Sequence, residues 1–252
     1  MRPSNTPQRA GLAASNTVSN AASNLAPLAA RPLALALLAS LSGLGFTSAA
    51  SAQVAPVTFY TNNFESASLD ARWGGNSRIS FHSAFSNFNG RFSFSELATL
   101  NVDAPRVEPR TDGSVAYTLT FDLYVIDSWD GNDTTWGRDE IRVAVNSREL
   151  LRETIANQST NQSFRAPDVG RFNFAYRESA DSIYRDVAIP FSLPAGRSLS
   201  VVFSSSPLQG HHDESWGIDN VRLSYTPIPA PGLTTLAGLG ALGLGARRRR
   251  RS

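Results

Sequence analysis

The chain has 252 residues, with 23 basic and 21 acidic side chains and no cysteine, which excludes disulfides, thiolate zinc sites and cysteine nucleophiles together. No lysine occurs, and eight arginines (Arg2, Arg9, Arg31 and Arg247 to Arg251) sit in terminal segments that contain no acid. Residues 53–226 therefore hold 15 arginines against all 21 acids, a net charge of −6, and a body of that sign is a poor partner for a nucleic-acid backbone.

Residues 1–30 are rich in Ser, Asn and Ala and show no packing pattern. From Pro32 to Phe46 the chain is apolar and uncharged, preceded by Arg31 and followed by Ala50-Ser51-Ala52. A positive flank, an apolar run and a small-x-small site make a secretory signal peptide, and Ala50 and Ala52 suit signal peptidase, which would leave Gln53 at the mature N-terminus. No amphipathic face is present to place this segment in a globular core. Residues 1–52 are expected to be an extended signal peptide.

The body follows with period-two alternation. Val115, Tyr117, Leu119, Phe121, Leu123 and Val125 share one parity and Ala116, Thr118, Thr120, Asp122 and Tyr124 the other, which predicts a strand over 115–125 with one buried face. The same period recurs in Ile141, Val143, Val145; in Phe172, Phe174, Tyr176; in Leu199, Val201, Phe203; and in Val221, Leu223, Tyr225. Gly, Asn, Asp and Pro separate these runs, and no segment sustains a 3.6-residue stripe. Several strands in one core-sized body, with no repeat of fixed period, predict an all-β, two-sheet antiparallel jelly-roll sandwich over residues 53–226.

Between the first two of these strands, Asp127, Asp130, Asp133, Asp139 and Glu140 crowd one loop with Trp129 and Trp136. Indole faces stack on the apolar face of a pyranose while carboxylates accept its hydroxyl protons, so Trp129, Asp130, Asp133 and Trp136 are the candidate ligand-binding residues. The same acids could hold a calcium ion, though EF-hand spacing is lacking. A competing reading is a long polar turn with Trp129 covering the end of the sandwich. Further on, His211-His212-Asp213-Glu214 reads as a solvated loop before the last strand. Neighbouring strand residues point to opposite faces, so both imidazoles reach one metal only from a bent loop. In that last strand Trp216 and Ile218 have one parity and Val221, Leu223 and Tyr225 the other. This phase slip predicts a bulge at Asp219-Asn220 that re-aims Asp219.

The C-terminal 26 residues read in three parts: the break Pro227-Ile228-Pro229-Ala230-Pro231-Gly232, an apolar, Gly-rich run from Leu233 to Ala246, and Arg247 to Arg251. As a helix the run would reach only about 22 Å against the ~30 Å hydrocarbon core, which favours transient membrane contact with the arginines cytoplasmic and the body outside. This tail resembles the PEP-CTERM family of bacterial sorting signals, in which a Pro-Glu-Pro-like motif, here Pro229-Ala230-Pro231 with Ala where Glu is usual, precedes a short membrane span and an Arg cluster. The resemblance implies processing by an exosortase-like enzyme near Pro229 and Pro231 and delivery to the surface or exopolysaccharide matrix.

Asn62-Asn63-Phe64-Glu65 with Trp73, and Trp216-Gly217-Ile218-Asp219-Asn220-Val221, resemble the first and last strands of carbohydrate-binding-module-like jelly rolls. The resemblance implies a structural Ca²⁺ held by Glu65 and Asp219. The usual enzyme signatures (Gly-x-Ser-x-Gly, His-Glu-x-x-His, phosphate and dinucleotide glycine loops) are absent. The expectation is an exported noncatalytic surface or matrix protein that binds extracellular polysaccharide. The alternatives are a secreted carbohydrate-active enzyme, with Asp122, Asp127, Asp130 and Glu140 as candidate carboxylates, and a self-associating structural protein.

Overall fold

The computed structural model describes residues 54–176 and 179–229. The expected signal peptide with Ala50 and Ala52, Pro231 and the apolar run with its arginines lie outside the described residues; Pro229 is within them, in the extended segment after the last strand. Twelve strands form: β1 (Val57–Asn62), β2 (Trp73–Gly75), β3 (Ile79–His82), β4 (Ser86–Phe92), β5 (Leu97–Val102), β6 (Ser114–Asp127), β7 (Glu140–Val145), β8 (Arg148–Thr154), β9 (Val169–Phe172), β10 (Asp181–Pro194), β11 (Leu199–Ser205) and β12 (Glu214–Tyr225). They build two antiparallel sheets. The larger runs β3-β4-β12-β6-β10-β9 with β1 also on β12, and the smaller runs β2-β5-β11-β7-β8. The chain crosses between sheets at β1–β2, β2–β3, β4–β5, β5–β6, β6–β7, β8–β9, β10–β11 and β11–β12, which makes the sandwich a jelly roll rather than two stacked hairpin meanders.

The core is the space between the sheets. Leu119, Phe121, Leu123 and Val125 of β6 face Leu100, Val143, Val201 and Phe203 of the smaller sheet, all of them fully buried. The alternation expected for 115–125 holds as far as Phe121, beyond which every β6 residue is buried. The reason is a second, smaller apolar cluster on the outer face of the large sheet, where Phe85, Phe88, Ala175 and Ile183 cover Tyr124 and Ile126. Phe85 stacks on Tyr124 at 4.4 Å between ring centroids. A polar parity therefore stops being a solvent face when another segment folds over it.

Two expectations about strands are corrected by local chemistry. The run Phe172-Phe174-Tyr176 is a strand only to Phe172, because the Asp181 carboxylate captures the Phe174 and Ala175 amides at 3.0 and 2.9 Å and turns the chain inward. The 14-residue β10, absent from the pattern reading, is interrupted by a bulge between Tyr184 and Val187 that breaks its period. Pro190 is tolerated there because β9 pairs only with residues 181–183, so that stretch of β10 is an edge. The hairpin β7–β8 closes through Asn146-Ser147, both left-handed at φ 49° and 66°, as a two-residue turn with matching twist demands.

Candidate functional site

Pairing of β6 with β12 sets Asp127 opposite Glu214, so the loop after β6 and the loop before β12 meet at one end of the sandwich. Trp129 is fully buried there, its indole N–H donating to the Ser215 carbonyl at 2.9 Å. With no free ring face it cannot be a sugar platform, and that expectation is corrected in favour of the covering role. Seven residues on, Trp136 is 71 % exposed. Beside it opens a pocket of about 280 Å³ lined by Asp130, Trp136, Gln209, Asp213 and Glu214. Asp133 does not line it; its carboxylate accepts the Thr135 amide at 2.7 Å, which holds it below the usual carboxylate range.

Within and beneath this pocket Asp130, Asp139 and Glu214 bring carboxylate oxygens within 4.8 Å of one another. Asp139 and Glu214 are 3 % and 2 % exposed, and no arginine forms an ion pair with any of the three among the described residues. Burial, aided by repulsion from the neighbouring acids, pushes Glu214 up to about 8; burial chiefly, with Asp130 nearby, pushes Asp139 up to about 6. The backbone supplies relief: the Gln209 amide donates to Glu214 at 3.0 Å, and the Asp130 and Gly131 amides donate to Asp139. Gln209 holds the loop by donating its side-chain N–H to the Trp136 carbonyl at 3.3 Å, which leaves its buried Oε1 without a donor. Hard oxygen donors at this spacing suit one divalent cation. The sequence singled out Asp130 and Trp136 but passed over Gln209 and treated Glu214 as loop, because the 83 residues between Asp130 and Glu214 are closed only by strand pairing.

The predicted bulge in β12 is present: register slips between Asp219 and Arg222, with Asn220 left-handed at φ 50°. It lies where the edge of β12 changes partner from β4 to β1. Asp219 is buried beside Tyr124, whose hydroxyl donates to it at 2.9 Å; burial raises its carboxyl to about 6, with Asp122 and Glu65 adding repulsion. Glu65 is exposed and accepts from the Asn87 amide at 3.2 Å and its side-chain N–H at 2.9 Å. Glu65 is the smallest of the influences that raise Asp219, and no arginine pairs with either acid among the described residues.

The carboxylates considered for catalysis do not converge. Glu140 is engaged by Arg142 and Arg152, Asp127 is buried against Arg91, and Asp122 sits five strand residues from Asp127 on the outer face of the large sheet. Asp122 accepts the Asp186 amide at 2.7 Å and the Asn220 side-chain N–H at 2.9 Å. Ser93, His211 and Glu96 do form a chain, at 3.0 Å and 3.5 Å, but Ser93 is fully buried and Arg78 grips Glu96 with two N–H groups, so the serine has neither access nor an available acid behind its imidazole.

No protein-family model matches the chain, and no curated protein matches it. Among solved structures it is similar to the C-terminal CBM6 of LamC, a marine laminarinase from Zobellia galactanivorans (9% identity, TM-score 0.34, 66% of this chain and 98% of that one). It is also similar to TmCBM27, a mannan-recognising carbohydrate-binding module (14%, 0.34, 68% and 98%), and to latent PorU from Porphyromonas gingivalis (11%, 0.35, 71% and only 14% of that chain). TM-scores of this size carry no ligand or activity from those proteins to this chain.

Proposed function

We propose that the protein is an exported, noncatalytic surface or matrix component that binds polysaccharide through the pocket beside Trp136. The observation that carries this is the pairing of one exposed indole with hydrogen-bonding groups at the mouth of a small pocket. A pyranose has an apolar face of C–H groups and a rim of hydroxyls; the indole matches the first, and Asp130, Asp213 and Gln209 match the second. At about 280 Å³ the pocket is at the lower edge of the ~300–1,000 Å³ of ligand sites, which suits one sugar of a longer chain. The signal-peptide pattern and the PEP-CTERM-like tail support export, processing by signal peptidase and an exosortase-like enzyme, and transient membrane contact. Structural calcium at Glu65 and Asp219 would pin the β1 end to the β12 bulge by neutralising two acids that repel; it belongs to the scaffold rather than to binding.

The test is retention of the full-length protein on immobilised polysaccharides. Trp136→Ala is expected to weaken retention at least tenfold while Phe172→Ala, which removes a comparably exposed aromatic elsewhere, leaves it intact. Equal retention of both variants would sink the proposal. Release of reducing ends from the same polymers, lost in Glu214→Gln, would instead favour a carbohydrate-active enzyme, for which the raised Glu214 carboxyl would serve as acid.

A further inference from the structure

We propose a second saccharide site on the outer face of the large sheet, in the cleft above Asp122, which makes the protein bivalent for polysaccharide; this rests on the glycan-binding reading of the Trp136 pocket. The cleft is the larger of the two, about 620 Å³, and Asn62, Asn63, Ser66, Ser68, Arg185 and Arg222 are among the residues that line it. Its floor is built by an unusual concentration of irregular backbone. Bulges in β10 and β12 flank β6 at the same level, and Phe64, Asp186 and Asn220, all lining the cleft, are left-handed at φ 55°, 48° and 50°. Asp and Asn tolerate this region, whereas the bulky Phe64 is held there against its own preference. Asp122 holds two of them, accepting from the Asp186 amide and the Asn220 side chain. Bulges that re-aim polar groups into one cleft are features of sites rather than of plain sheet.

The chemistry of the lining selects the ligand. Arg222 pairs with Asp186 at 2.6 Å and Arg185 lies 4.0 Å from Asp122, so the guanidinium charges are already matched and an anionic ligand gains little. Phe64 is the one aromatic lining residue and it is buried, which removes any stacking platform and disfavours apolar ligands. What remains is a set of hydroxyls, amides and unspent guanidinium N–H groups, suited to vicinal hydroxyls of a neutral sugar chain. Along β6, Asp127, which pairs with Glu214 of the Trp136 pocket, stands five residues or roughly 17 Å from Asp122 of this cleft. Two such sites on one rigid body can hold two polymer strands and cross-link them, with avidity that neither site has alone.

Calorimetric titration of the full-length protein with short neutral manno- and gluco-oligosaccharides, alongside turbidity on mixing with the parent polymers, tests this. Two ligands per chain are expected, with Trp136→Ala and Ser68→Trp, which fills the cleft from an exposed loop, each removing one. Arg185→Ala should weaken the second site at least tenfold without touching the first. Turbidity should require both sites. One ligand per chain, lost in Trp136→Ala and untouched in Ser68→Trp and Arg185→Ala, overturns the cleft and leaves the first reading standing. One ligand lost only in the cleft variants overturns the Trp136 pocket and the bivalency but keeps the cleft. No binding by any form overturns both.

Discussion

Two groups of buried carboxylates sit near the same end of the sandwich and have opposite surroundings. Asp127 is met by Arg91 and the Ser179 amide, while Asp181 accepts amides from Asp127, Phe174 and Ala175. Arg91 is itself held by Ser215 at 2.6 Å and lies over the Tyr176 ring. Asp139, just before β7, and Glu214, at the start of β12, have no arginine partner among the described residues and accept only from backbone amides there, Asp130 and Gly131 for Asp139 and Gln209 for Glu214. Arg91 and the backbone amides offset part of the cost of burying Asp127, whose carboxyl burial still raises, whereas a buried carboxylate with no cation beside it carries most of that cost unrelieved. The first group is therefore scaffold, and the second lies at the Trp136 pocket, where we propose binding.

That contrast can be broken by experiment. Arg91→Ala strands Asp127 and is expected to cost ~3–5 kcal/mol in denaturant unfolding. Trp129→Ala should cost about the same by opening a cavity in the core. By contrast Glu214→Gln should stabilise the protein at alkaline pH, and a loss comparable to that of Arg91→Ala would erase the distinction.

The pH dependence of stability sharpens it. Glu214 and Asp139 have folded-state carboxyls raised to about 8 and about 6, so the native state holds protons that the unfolded chain has released. Their contribution is complete below the ordinary carboxylate range and is lost as pH rises through about 6 and then about 8. Melting temperature should decline across that window, and less steeply in Glu214→Gln. Calcium should then raise the melting temperature at pH 8 relative to EDTA. Loss of the rise in Asp219→Asn assigns the ion to the Glu65 end of β12, and loss in Glu214→Gln assigns it to the acidic trio. The smallest stability effect belongs to Trp136→Ala, within ~0.5 kcal/mol of wild type, because that indole covers nothing in the fold.

Much of the sandwich was legible where side-chain parity ran unbroken. β6, β7, β11 and the second half of β12 each alternate cleanly, and the slip at Asp219-Asn220 announced the bulge that the structure contains. β10 escaped because its own bulge shifts parity midway, and β2 to β4 because they are short and rich in Gly, Ser and Asn. In the loop after β6 the composition singled out Trp129, Asp130, Asp133 and Trp136 together as candidate ligand-binding residues; the structure places Asp130 and Trp136 at one pocket, and the composition could not separate Trp136 from Trp129. Both indoles stand in similar polar contexts, and only the Ser215 carbonyl and the core beneath it mark Trp129 as buried.

Alternation, turn residues and the lack of a helical stripe were enough to specify layered antiparallel sheets, because a strand's two faces are written residue by residue. The sites were decided at the tertiary level. Asp130 and Glu214 are 84 positions apart and Asp122 and Asn220 are 98, and each pair meets only because β12 lies beside β6. Whether a carboxylate is paired, solvated or stranded depends on what pairing and burial place around it, and that is a property of the folded neighbourhood rather than of the local sequence.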